Sequence, residues 1–232
     1  MNLLAFDTST DVLSIAVQGS GPGAVPLEYS GPGGARASST LIPAIQDLMA
    51  QAGLKLADLD AIVFGRGPGS FTGLRTACSV AQGLAFGAKL PVLAVDTLLA
   101  VAEDARYREG VRQIVAVLDA RMDEVYCACF VHDAGQWRQQ GGTTLDAPDA
   151  IIVPAGYALA GNAFAAYGAR LPGAAVRVEA MPGAVALLRL APTLIAAGLA
   201  GPAASATPLY IRDKVAQTTA ERAAARAASL QS

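Results

Sequence analysis

The sequence predicts an α/β protein of two domains related by duplication, and three observations lead there. An apolar run, an Asp, a short polar turn, a second Asp and an alternating strand occur twice, so that Asp7 and Asp11 recur at one common offset as Asp119 and Asp123. Three strand-like segments at the start are followed by helix, strand, helix, strand, a mixed order that calls for a sheet covered by helices. The chain of 232 residues is long enough for two small domains, each with a core of its own.

Taken in order, Asn2 to Phe6 is an apolar run stopped by Asp7, and Val12 to Gln18 alternates with Leu13, Ile15 and Val17 on one face. Two antiparallel strands result, joined by Asp7-Thr8-Ser9-Thr10-Asp11, whose carboxylates and hydroxyls can cap a turn or hold a phosphate. Val25 to Tyr29 is expected as a third strand. A helix follows from Ser39 to Met49, with Leu41, Ile42, Ile45, Leu48 and Met49 along one stripe, Gly53 beyond its end, and Pro43 either in its first turn or kinking it.

Ala61 to Phe64 is a strand and Gly65 to Gly69 a turn, with Ser70 placed to cap the helix Phe71 to Phe86. The turn is not a phosphate loop of known type: no Lys-Ser or Lys-Thr follows the glycines, and Thr72 stands where a dinucleotide fingerprint needs its third glycine. No charged side chain occurs between Arg75 and Lys89, and small residues fill the faces of the helix that its apolar stripe leaves open. A helix uncharged all round is buried all round, under a second layer or a second protein.

Pro91 to Val95 and Thr97 to Tyr107 complete the first domain, expected to span residues 1–106, and residues 107–232 form the second. Its strands are Ile114 to Leu118 and Val125 to Val131; Trp137 to Gln140, Tyr157 to Phe164 with a turn at Gly161-Asn162, and Val176 to Val178 are less regular. Pro182 to Leu199 reads as a helix kinked near Pro192, Pro208 to Arg212 as extended, and the tail from Gln217 as helical or frayed.

Composition narrows the function. Hydrophobic residues make up 53% of the chain and charged residues 16%, so apolar surface is left over for a partner. A net charge of −2 advertises no nucleic-acid surface on this chain alone. The longest apolar stretch, Pro182 to Ala204, holds Arg189, Pro192 and Pro202 and reads as a buried helix, not a membrane span. Three cysteines without a secretory signal imply a reduced, cytoplasmic protein. His132 is the only histidine, so a two-His metal site cannot be built; no nucleophile-His-acid set is evident, since nothing near His132 marks a serine or cysteine elbow, and no metal or catalytic residue is assigned.

The strand order is the ribonuclease H-like pattern of the actin, Hsp70 and sugar-kinase (ASKHA) superfamily. More specifically, Leu4-Ala5-Phe6-Asp7-Thr8-Ser9-Thr10, the block Gly65 to Arg75 with Ala81-Gln82-Gly83-Leu84-Ala85, Leu118-Asp119-Ala120-Arg121-Met122-Asp123-Glu124-Val125-Tyr126, and Tyr210-Ile211-Arg212 resemble the TsaB (YeaZ) family. The resemblance follows the whole chain in order, and is loose between Gly141 and Ala206.

That resemblance implies a non-catalytic scaffold without cofactor. Its family pairs with the catalytic subunit TsaD, of similar fold, and the small ATPase TsaE, in the bacterial complex that transfers a threonylcarbamoyl group to the adenosine next to the tRNA anticodon. It further implies a homodimer when TsaD is absent, tRNA contact only through the complex, and no membrane. Older labels for the family, glycoprotease-like or M22 peptidase-like, find no reacting groups here. The interface is expected on the two N-terminal helices, at Leu41, Ile45 and Met49 of the first. On the second it takes in Phe71, Gly73, Leu74 and Thr76, then Ala77, Val80, Gly83 and Leu84. The alternative is a nucleotide-binding or hydrolysing enzyme of the actin-like ATPase superfamily, in which Asp7, Thr8, Ser9 and Asp119 meet phosphate and metal across a cleft between the two acidic hairpins.

Overall fold

A computed structural model describes residues 1–21 and 23–212. The tail expected to be helical or frayed from Gln217 lies outside the described residues. Two five-stranded sheets carry the fold. The first is built from β1 (Leu3–Asp7), β2 (Val12–Gln18), β3 (Leu27–Pro32), β4 (Ala61–Gly67) and β5 (Val92–Asp96), in the order β3-β2-β1-β4-β5. The second comprises β6 (Gln113–Arg121), β7 (Glu124–Asp133), β8 (Gln136–Asp146), β9 (Ala158–Gly161) and β10 (Arg177–Glu179), in the order β10-β9-β6-β7-β8.

In each sheet the first three strands form an antiparallel meander, the fourth pairs parallel with the first, and the fifth pairs parallel with the fourth. The two topologies superimpose strand for strand, as the repeated Asp-turn-Asp pattern implies. The second copy is reduced. Where the first has α1 (Ala37–Gln51) and α2 (Phe71–Ala88), the second has a single 3₁₀ turn, Pro148–Ala150, and α4 (Phe164–Tyr167). The closing helices are α3 (Thr97–Glu109) and α5 (Ala184–Ala196).

Burial explains the sequence pattern of the first sheet. Leu4 and Phe6 face a core with Leu41, Ile45, Leu48, Ala77 and Ala81 of α1 and α2. Leu3 and Ala5, on the other face, pack with Leu187, Leu188 and Ala191 of α5. A strand covered on both sides needs no polar alternation, so β1 is apolar up to Asp7.

The expected boundary at residue 106 falls inside α3, which packs against β6 and β9 of the second sheet as well as β4 of the first. Conversely α5, from the second half of the chain, lies on β1, β2 and β4 of the first sheet. Each half lends its closing helix to a layer shared with the other. Glu103 ties that layer together. Only 3% exposed, it accepts from Arg106 and from Trp137 of β8 and lies 3.3 Å from Arg189 of α5. No helix of the described residues is long and apolar enough to cross a membrane.

Smaller differences have local causes. Pro43 lies well inside α1, not in its first turn, and is exposed, so the carbonyl that loses its helical partner can meet water. The strand expected at Val25 starts at Leu27, and β8 runs to Asp146, beyond the expected Gln140, because β7 offers it a ladder along its whole length.

Candidate functional site

The two acidic turns do face one another. Ser9, Thr10 and Asp11 from the β1–β2 turn, and Asp119, Ala120 and Arg121 from the β6–β7 turn, line a cleft of about 520 Å³, with Ser70 and Phe71 at the start of α2. Its charges are largely spent internally. Arg121 pairs with Asp11 across the cleft and with Asp119 at 3.0 Å, and the Tyr167 hydroxyl donates to Asp119 at 2.8 Å.

Of the four residues expected to meet a nucleotide, Ser9 and Asp119 line this cleft, whereas Asp7 and Thr8 are buried behind its wall. The Asp7 carboxylate accepts from the Ser9 N–H at 2.7 Å and the Ser9 hydroxyl at 2.5 Å through Oδ1, while Oδ2 is buried without a hydrogen-bond partner. Burial pushes this carboxyl up to about 6, against the pull of both Ser9 donors and of the nearby Thr97 hydroxyl. The Thr8 hydroxyl donates to the Gly73 carbonyl at 2.7 Å. Asp7 and Thr8 thus form part of the wall behind the cleft. No group of three or more His, Cys, Asp or Glu among the described residues could hold a metal ion. His132 is half-buried on β7, its ring 4.9 Å from Trp137.

The glycine turn owes its composition to the same wall. A Cβ on Gly65 would sit 1.7 Å from Asp7 Oδ2, and one on Gly73 1.8 Å from the Thr8 carbonyl. The Ser70 N–H donates to the Ser9 carbonyl at 2.7 Å, and the Ser70 hydroxyl caps α2 by accepting from Gly73 at 3.4 Å. The glycines therefore let the turn and the head of α2 press against the first acidic hairpin. They build close contact between the turn and the hairpin.

On the two N-terminal helices most of the expected interface residues face inward. Leu41, Ile45, Met49, Gly73, Leu74 and Ala77 are buried in the chain's own core. Thr76, Val80 and Leu84 are half-buried, and only Phe71 and Gly83 of the expected set are exposed. Helical periodicity finds the most apolar stripe, and the first sheet has the first claim on it. The face left outward carries Ile42, Gln46 and Asp47 of α1, and Thr72, Arg75, Ser79, Gly83 and Phe86 of α2. Phe86 is 80% exposed and Ile42 43%. Asp47 and Arg75 are the only charges on the two helices. Phe86 was the available signal, a large aromatic set opposite the stripe.

Residues beyond α5 complete this surface. Gly201 bridges Val92 at the edge of the first sheet, the Cys78 thiol donates to the Ala206 carbonyl at 3.1 Å, and the Leu209 N–H donates to Arg66 at 2.7 Å. At the last described residue of the strap, Arg212 pairs with Glu124 of the second sheet at 2.5 Å. Along it, Tyr210 stacks on Phe71 with centroids 5.5 Å apart. Arg75 lies over Phe71 at 3.7 Å, and its Nε donates to the Tyr210 hydroxyl at 3.0 Å.

Comparison with known proteins places this geometry. The family model described as TsaD, tRNA N6-adenosine threonylcarbamoyltransferase, matches residues 23–181. The protein named tRNA threonylcarbamoyladenosine biosynthesis protein TsaB in Escherichia coli K12 is 36% identical over 152 residues, 65% of this chain and 64% of that protein. The Haemophilus influenzae protein of the same name is 40% identical over 162 residues, 66% of each. The chain thus spans slightly under two thirds of these curated relatives. Among solved structures, YeaZ from Pseudomonas aeruginosa superimposes with a TM-score of 0.82 at 39% identity, covering 90% of this chain and 99% of that one. A second structure, described as an uncharacterized protein with similarity to peptidase YeaZ from the same organism, gives 0.83 at 38% identity, covering 91% and 99%.

Proposed function

This chain belongs to the family that the TsaD model describes, and within it to the TsaB (YeaZ) relatives, and from that premise we propose that it is the scaffold subunit for tRNA threonylcarbamoyladenosine synthesis. It binds the catalytic subunit TsaD, with the ATPase TsaE, and supplies a surface while TsaD carries the chemistry. The observation that carries this reading is the outward face of α1 and α2, where Phe86 and Ile42 stand exposed beside small side chains and only two charges.

Kinship supports the choice of partner. The transferase model runs through both helices of this chain, so a TsaD subunit carries helices in corresponding places. Two like faces can then meet about a pseudo-twofold axis, and a second copy of this chain would use the same face when TsaD is absent. With a net charge of −2, tRNA is met only through the complex, which the reading sets in the cytoplasm. The absence of reacting groups follows the same line: the one histidine, on β7, faces Trp137 of β8, and the carboxylates Asp11 and Asp119 are joined through Arg121.

Size exclusion and calorimetry with purified TsaD test the proposal. The native chain should form a heterodimer, and Phe86→Asp should weaken it at least about a hundredfold, since a charge buried without a partner costs several kcal/mol. A native chain that does not shift with TsaD, or a Phe86→Asp chain that binds as well as the native one, would overturn it.

A further inference from the structure

We infer that the strap belongs to the docking surface, with Phe71, Arg75 and Tyr210 forming one preordered anchor at the cleft end of α2 where Arg75 takes a carboxylate of TsaD. This deepens the proposed function and rests on its choice of partner.

The first support is order. The guanidinium of Arg75 is stacked on Phe71 and tied through Nε to Tyr210, so its side-chain freedom is already spent before any partner arrives. Tyr210 is held in turn by the strap. Leu209 is bonded to Arg66 on one side of it, and Arg212 is paired with Glu124 on the other. Gly67 makes that path possible, because a Cβ there would sit 2.6 Å from the Leu209 carbonyl.

The second support is charge. Arg66, Arg121 and Arg212 surround this end of the molecule, and each is paired with a carboxylate. Arg75 has no carboxylate partner among the described residues, and it is the only cation on α1 or α2. A partner that covers the outward face of α2 must either bury this cation unpaired, at considerable cost, or answer it with an anion. With Nε occupied, the two Nη amines can take a carboxylate side by side, a geometry that lysine cannot copy.

The third support is composition and place. Phe71 and Tyr210 are 38% and 45% exposed, on the same side of α2 as Phe86. Aromatic and arginine side chains that are rigid before binding are the residues that dominate protein interfaces. The surface offered to TsaD therefore has three parts, α1, α2 and the strap, and the strap couples it to the second sheet.

The test is a titration of the full chain with purified TsaD by calorimetry, at low and at moderate salt. Arg75→Ala and Tyr210→Ala should each weaken binding about tenfold to a hundredfold, as loss of an interface anchor does. Arg75→Ala should also lower the salt dependence. Tyr210→Phe, which keeps the ring and loses the hydroxyl, should fall between native and Tyr210→Ala, and Arg75→Lys should fail to restore native affinity. Binding within about twofold of native for both alanine variants, while Phe86→Asp still abolishes it, would overturn the anchor and leave the scaffold reading standing. Full rescue by Arg75→Lys would overturn the stacked fork. Indifference of Phe86→Asp would count against the scaffold reading itself. Circular dichroism of each variant separates lost contact from lost fold.

Discussion

Asp7 concentrates most of the physical tension in the molecule. It ends β1, is fully buried, and leaves one carboxylate oxygen without a hydrogen bond. Burial raises its pKa from an ordinary 3.8 to about 6, a displacement worth about 3 kcal/mol. For a carboxyl raised by folding, stability is fully present below 3.8 and is lost as pH climbs through about 6. Asp7→Asn removes the ionisation. The variant should gain about 1–2 kcal/mol over the native chain at pH 7.5, with the advantage shrinking toward pH 4, as paired urea titrations would read. Glu103 runs the other way. Burial works to raise it, but hydrogen bonds from Arg106 and Trp137 and the charges of Arg106 and Arg189 hold it below the usual range. Its contribution is present near neutrality and fades as acid protonates it. The sequence marks Asp7 as unusual through its repeat at Asp119. It does not show that one copy is sealed in a wall while the other lines a cleft. That depends on how closely the glycine turn approaches, which is a tertiary matter.

At the scale of elements, α2 shows how one glycine pattern hides two different reasons. Gly73 and Gly83 both interrupt the helix, and glycine in a helix interior ordinarily costs about 0.5–1 kcal/mol relative to alanine. A Cβ on Gly83 meets nothing within 4 Å, whereas one on Gly73 lands 1.8 Å from the Thr8 carbonyl. Gly83→Ala should therefore stabilise the isolated chain by about 0.5–1 kcal/mol, and Gly73→Ala should destabilise it by about 2 kcal/mol or more. Chemical denaturation of both variants checks the contrast, and equal effects would contradict the close approach of α2 to the first hairpin. Helices and strands were largely legible, because periodicity, Ser70 and the flanking glycines mark their limits. Which side of α1 and α2 faces out was not legible from the stripe. Leu41 and Ile45 look like an interface until a sheet is seen to cover them, while Ile42, at the edge of the same stripe, and Phe86 stay exposed.

For the whole molecule, the crossed closing helices matter more than the boundary between halves. α3 and α5 lie in one layer, each serving the other half's sheet, and Glu103 draws Arg106, Arg189 and Trp137 into a single buried node within it. Removing the carboxylate takes the acceptor from Arg106 and the Trp137 indole N–H and leaves Arg189 with Asp104 alone. Glu103→Ala should cost about 3 kcal/mol or more, and unfolding should remain one cooperative transition, since both sheets depend on the node. Two separated transitions in calorimetry of the native chain would show instead that the halves fold independently. The partner surface inherits this coupling, because the strap leaves α5, passes along α2 and is fastened to Glu124 of the second sheet.

By itself the sequence determined the α/β class, the duplication and the family, because these rest on local periodicity, on a repeated turn and on the residue types of a few motifs. Only the tertiary structure decided which apolar faces are already used. Burial is a property of what lies across from a side chain, and neither the sheet that takes Leu41 nor the strap that brings Tyr210 onto Phe71 is near those residues along the chain.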